Sequence, residues 1–127
     1  MTTVILFGAT GKTGLALSKL IIKNDMELFA AARTETDRKY LESLGANTFI
    51  ADALHPNQIL ESMRNVNGRS IVISLVGGSS KGTGVRADYL GNKNIIEAAV
   101  TSGLKRFIFV TSIGSGESRH ELPDVVK

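Results

Sequence analysis

The densest group of chemically suggestive residues lies near the N-terminus, at Gly8-Ala9-Thr10-Gly11-Lys12-Thr13-Gly14. Glycines at G-x-x-G-x-x-G spacing, after a short apolar run and before an amphipathic one, suit contact with phosphate. Gly8 permits a sharp turn, Gly11 lets the backbone come close to a ligand, and Gly14 lets a helix pack tightly on its strand. Phosphates placed there would meet the free N–H groups and the positive dipole end of that helix. The expected ligand is the pyrophosphate of a dinucleotide, with Gly8, Thr10, Gly11, Lys12, Thr13 and Gly14 around it. Gly11-Lys12-Thr13 also matches the tail of a P-loop. However, the glycine which that motif needs five residues before its Gly-Lys pair is Leu6 here, so a nucleoside-triphosphatase fits poorly. A glycine turn with no ligand is the plain alternative.

A second group follows at Ala30-Ala31-Ala32-Arg33, roughly twenty residues beyond the glycines, where such folds discriminate between dinucleotides. An acid there takes ribose hydroxyls, whereas a basic residue takes a 2′-phosphate. Arg33 carries a fork of donors suited to that phosphate, with Arg38 one helical turn further on. This favours NADP over NAD. Glu35 argues the other way, unless it only complements the N-terminus of its own helix, and Arg33 has a plain reading as a solvated loop arginine. Asp52 and Ala53 follow the third strand and are placed to reach an adenine. Asp52 could equally begin a turn before Pro56.

These residues need a scaffold, and the chain alternates strand-like and helix-like segments with little filler. Strands are expected at Thr3–Phe7, Glu27–Ala32, Asn47–Ala51, Ser70–Val76 and Arg106–Thr111,. A helix with a broad apolar face is expected from Lys12 to Lys23. Thr34 can cap the next helix, with Asp37 at the reciprocal position and Gly45 at its end. Pro56 suits the first turn of a helix running to about Val66. A long helix should cover Arg86 to Ser102, stopped by Gly103. Strands joined by helical crossovers are parallel, which implies a doubly wound α/β fold with strand order 3-2-1-4-5. The loop Gly77–Gly84 (GGSSKGTG) follows the fourth strand and could gate the crevice or merely connect two elements,. The polar stretch from Gly114 to Lys127 reads as a loop.

Composition sets bounds. The 127 residues suit one domain, and 43% apolar with 21% charged residues is ordinary for a globular chain,. The net charge of +3 comes from scattered Lys and Arg, which gives no footprint for nucleic acid,. Without cysteine there is no disulfide, thiolate nucleophile or cysteine metal site, and His55 and His120 make no zinc pattern,. No stretch approaches the ~18 apolar residues of a membrane span. The start lacks the basic flank of a signal peptide, so a cytoplasmic protein is expected.

Taken together, GATGKTG at Gly8–Gly14, AAR at Ala31–Arg33, AD at Ala51–Asp52, SLVGG at Ser74–Gly78 and DYLGNKNIIEAAVTSGLKRFIFVTSIG at Asp88–Gly114 resemble the atypical short-chain dehydrogenase/reductases. The similarity is to their NmrA-like, NAD(P)H-binding subgroup, which includes flavin and biliverdin-IXβ reductases. It covers nearly the whole chain and implies a Rossmann domain. It implies Arg33 on the 2′-phosphate, Asp52 and Ala53 beside the adenine, and Leu75, Val76 and Gly77 lining the crevice. Ser112 then takes the place of a catalytic serine near the nicotinamide, able to hydrogen-bond a substrate carbonyl; its plain reading is a strand-end hydroxyl. Tyr89 and Lys93 form a Tyr-x-x-x-Lys spacing, but before the fifth strand instead of after it, and are taken as a decoy.

Family members continue past the fifth strand, so the resemblance implies a chain shortened there, with an open edge that could pair two copies. The implied function is NADPH-dependent reduction of a flavin, quinone or carbonyl, a small-molecule acceptor. A non-catalytic NADP-binding sensor or assembly factor is the alternative. A sugar epimerase or dehydratase is weaker, because it would need a later Tyr-x-x-x-Lys. For these residues alone, binding without useful turnover is expected.

Overall fold

A computed structural model describes residues 2–64, 69–76 and 87–110, with the side chains of 87 and 88 excepted. Five parallel strands form one sheet in the order β3-β2-β1-β4-β5. They are β1 (Thr3–Phe7), β2 (Glu27–Ala32), β3 (Asn47–Ile50), β4 (Ile71–Ser74) and β5 (Arg106–Phe109). Between them run α1 (Lys12–Lys23), α2 (Glu35–Ser43), α3 (Pro56–Ser62) and α4 (Ala87–Thr101). The architecture and strand order match the sequence expectation.

β1 lies at the centre and is apolar on both faces, as a parallel strand covered by helices must be. Val4 and Leu6 point into a core with Ile21 of α1, Leu41 of α2, and Leu28 and Ala30 of β2. Ile5 and Phe7 point the other way, onto Ile59 of α3, Met63 at its C-terminal end, and Ile95, Ala98 and Ala99 of α4. Helices α1 and α2 therefore cover one face and α3 and α4 the other. The chain changes face between β3 and β4, opening a crevice at the carboxyl ends of the central strands.

Local signals explain most element ends. The Asp37 amide donates to the Thr34 hydroxyl at 3.1 Å, capping α2, and Pro56 occupies the first turn of α3. Gly45 and Gly103 adopt left-handed backbone after α2 and α4. Several boundaries are shorter than expected. β4 stops at Ser74, which leaves Leu75 and Val76 in the following loop, and α3 stops at Ser62 instead of near Val66. β3 ends at Ile50, because Ala51 already turns toward α3 while its amide still bonds Ala32 O. α4 is described over Ala87–Thr101 and ends one residue before the expected Ser102, its expected start at Arg86 lying outside the described residues, and β5 ends at Phe109, short of the expected Thr111. Apolar residues beyond a strand end resemble strand residues because they pack on the same core; Leu75 does so.

Candidate functional site

The glycine turn is built by contacts that only glycine allows. Gly8 follows β1 with φ of +86°, and a Cβ there would stand 2.9 Å from the Leu75 carbonyl carbon. A Cβ on Gly14 would lie 1.9 Å from the Gly8 carbonyl oxygen. The first turn of α1 is thus pressed directly onto the end of β1. Gly11 differs from both: its φ is −68°, and a Cβ would meet only Gly8 O, at 3.8 Å. It is the N-cap of α1 and provides no side-chain cap, and the first turn holds no acidic residue. The amides of that turn therefore lack the side-chain partner that helix starts commonly recruit, and they can serve an anion.

A cleft of about 310 Å³ opens beside this turn, lined by the ends of four strands. Phe7 ends β1, and Gly8, Ala9, Thr10 and Gly11 come from the turn after it; Ala31 lies in β2 and Arg33 just past its end. Ala51, Asp52, Ala53 and Leu54 come from the loop after β3, and Leu75 and Val76 from the loop after β4. Eight sequence candidates meet here although they are spread over almost seventy residues: Gly8, Thr10, Gly11, Arg33, Asp52, Ala53, Leu75 and Val76. Lys12, Thr13 and Gly14 do not line it. They form the first turn of α1, where Gly14 is buried and the Lys12 and Thr13 side chains face solvent. Gly77 and Ser112, the Gly77–Gly84 loop and the stretch from Gly114 lie outside the described residues.

Ala9, Ala31 and Ala51 were read only as parts of motifs, and Phe7 and Leu54 not as site residues, yet all five join Ala53, Leu75 and Val76 in the apolar part of the lining. Their signal was available, since each adjoins a candidate at a strand end. A wider hollow of about 680 Å³ lies at the β3 edge against α3, between Phe29, Phe49, Ile50, Gln58 and Glu61, and holds none of the candidates.

Charge is distributed unevenly at the rim. Arg33 is exposed and lines the cleft. Arg38 does not; its guanidinium binds Glu35 at 2.9 Å and approaches Glu42 at 3.8 Å. The Glu35 carboxylate thus engages Arg38 on the surface of α2. Asp52 has two contacts of interest. It lines the cleft, and its Oδ1 accepts from the Leu54 amide at 2.9 Å, a turn before Pro56,. Gln58 Oε1 accepts from the Asp52 amide, tying this loop to α3. Tyr89 is 71% exposed on α4, and neither it nor Lys93 lines the cleft.

A glycine turn, an uncapped helix start and a crevice at the strand order reversal meet in one place. The model of the NAD(P)H-binding family matches residues 8–127. The chain belongs to this family. Within it, 114 residues are 32% identical to a Bacillus subtilis protein named an uncharacterized sugar epimerase, covering 87% of this chain and 52% of that one. The chloroplastic protein TIC 62 of Oryza sativa subsp. japonica is 28% identical over 88% of this chain and 26% of its own. Among solved structures, ChuY, an anaerobilin reductase from Escherichia coli, superposes with a TM-score of 0.86 at 29% identity. That match covers 99% of this chain and 58% of ChuY. The chain therefore spans about half the length of the first curated relative and about a quarter of the second. It is an NAD(P)H-binding-family protein with a Rossmann fold, in line with the resemblance to atypical short-chain dehydrogenase/reductases. No helix among the described residues is long and apolar enough to cross a membrane.

Proposed function

We propose that the cleft binds NADP(H) and that the whole protein uses it to reduce a flavin, quinone or carbonyl acceptor. The observation that carries the reading is Arg33 at the cleft rim, beside the uncapped start of α1, while Glu35 is paired with Arg38. A guanidinium in this position can take a 2′-phosphate with two parallel hydrogen bonds. The α1 amides would take the pyrophosphate, Asp52 and Ala53 would flank the adenine, and Leu75, Val76 and Gly77 would line the crevice. Bound NADPH supplies a hydride, and the acceptor gains it together with a proton. Ser112, three positions past β5 in the sequence, would hydrogen-bond the acceptor's carbonyl. The similarity to an anaerobilin reductase supports the reading as a reductase.

The deciding experiment is calorimetric titration with NADP and NAD of the wild-type chain and of Arg33→Ala. A preference for NADP of about tenfold or more, abolished in the variant, is expected from the loss of a charge-assisted pair. Equal affinities in the wild type would refute NADP selectivity, and no binding of either would refute the dinucleotide reading. NADPH oxidation with flavin or quinone then separates a reductase from a non-catalytic sensor or assembly factor. Self-association is also proposed through β5, an outer strand of the described sheet with Ile108 and Val110 exposed,. A monomer by light scattering at high concentration would refute it.

A further inference from the structure

The two loops that form the far wall of the cleft come from different strands, and neither is held by the glycine turn alone. Both are fastened to the same stretch of α4. Asn94 is 6% exposed, and its Nδ2 donates to the Ala53 carbonyl at 2.9 Å, across 41 residues of sequence. Asn92 accepts the Ser74 hydroxyl at Oδ1, and its Nδ2 donates to the Val76 carbonyl at 3.4 Å. The same Ser74 hydroxyl accepts from the Val76 amide at 3.3 Å, so the end of β4 is held from two sides.

Gly91 lies between these two attachments. A Cβ built on it would stand 3.0 Å from Ala53 Cβ and 3.3 Å from Val76 Cγ1. Both of those residues line the cleft. The backbone of α4 is therefore in direct contact with the rear of both walls, and any side chain there would press on them. A buried amide meeting a loop carbonyl is expensive to leave unpaired, so this contact holds the wall in one place.

We infer that Gly91, Asn92 and Asn94 form a positioning clamp. It sets the spacing between the loop after β3 and the loop after β4, and so determines affinity for the adenosine half of the dinucleotide. The inference rests on the dinucleotide reading above. The three residues touch no ligand themselves; they act through Ala53 and Val76.

The test is calorimetric titration of the full chain with NADP and with adenosine 2′,5′-bisphosphate, with thermal denaturation run on each variant. Gly91→Ala and Asn94→Leu are expected to weaken both ligands about tenfold, as small misplacements of a binding wall do. Leu104→Ala removes a buried side chain of the core shared with α4, away from the clamp contacts. It should lower the melting temperature while leaving both affinities unchanged. Adding Ala53→Gly to Gly91→Ala removes the methyl that the new Cβ would strike. Affinity should return to within about twofold of Ala53→Gly alone, the non-additivity expected of touching residues. Unchanged affinities in Gly91→Ala and Asn94→Leu would overturn the clamp. So would failure of the double variant to recover, or an equal loss in Leu104→Ala. A wild-type chain that binds neither ligand would overturn the dinucleotide reading itself.

Discussion

Helices α1 and α2 both begin at the carboxyl end of a strand, on the same face of the sheet, yet their first turns are finished differently. At α2 the Thr34 hydroxyl accepts from the Asp37 amide, and Glu35 and Asp37 place acidic groups against the positive end of the helix. At α1 the N-cap is Gly11, with no side-chain hydrogen bond and no acid in the first turn. One helix start satisfies its own donors and charge; the other leaves them to whatever occupies the cleft. The difference shows how the same backbone unit becomes either structure or site, through the residue at a single position.

Four substitutions probe that difference, beginning with the largest effect. Gly14→Ala puts a methyl 1.9 Å from the Gly8 carbonyl oxygen, both groups being backbone-anchored. Loss of about 3 kcal/mol in denaturant unfolding is expected, the upper range for overpacking. A variant as stable as wild type would show that α1 can retreat from β1.

Gly11→Ser gives α1 the kind of cap that α2 has, at a position with ordinary backbone and open space. The fold should be kept, with stability changed by only a few tenths of a kcal/mol. Affinity for NADP should fall about tenfold, equivalent to about 1.4 kcal/mol, because the hydroxyl now competes for the amides. Unaltered affinity would mean that the α1 amides are not the anion site.

Thr34→Ala makes the opposite change, removing the cap from α2. About 1 kcal/mol of stability should be lost, with no change in NADP affinity by titration. A comparable loss of binding would erase the distinction between the two helix starts.

Arg38→Ala removes an exposed pair with Glu35, i,i+3 on α2. At most about 0.5 kcal/mol should be lost, and salt should diminish it further. A larger, salt-independent loss would show a packing role for the Arg38 stem.

Much of the site could be read without the structure because its logic is local. The glycine spacing, the Thr34 cap, Pro56 in the first turn of α3 and the glycines after α2 and α4 each depend on a few neighbouring residues. Arg33 and Asp52 were found because a βαβ unit places strand ends at regular intervals. Less legible were the apolar lining residues such as Phe7 and Leu54, which look like any core or loop residue until the walls are assembled. Leu75 and Val76 read as strand but sit in the loop beyond β4, since apolar packing continues past the last ladder hydrogen bond.

The amides of Asn92 and Asn94 were not legible at all as positioning groups. In sequence they are two polar residues within a helix, and nothing near them indicates a partner 41 positions away. Periodicity and turn chemistry operate over a few residues, so the sequence by itself determined the elements, their parallel order and the glycine turn. Which carbonyls the side-chain amides of α4 would meet, and that Arg38 would be spent on Glu35 while Arg33 faced the cleft, were decided only by the packing of α4 against two loops and by the local folding of α2. Those contacts depend on distances between segments that no local pattern encodes.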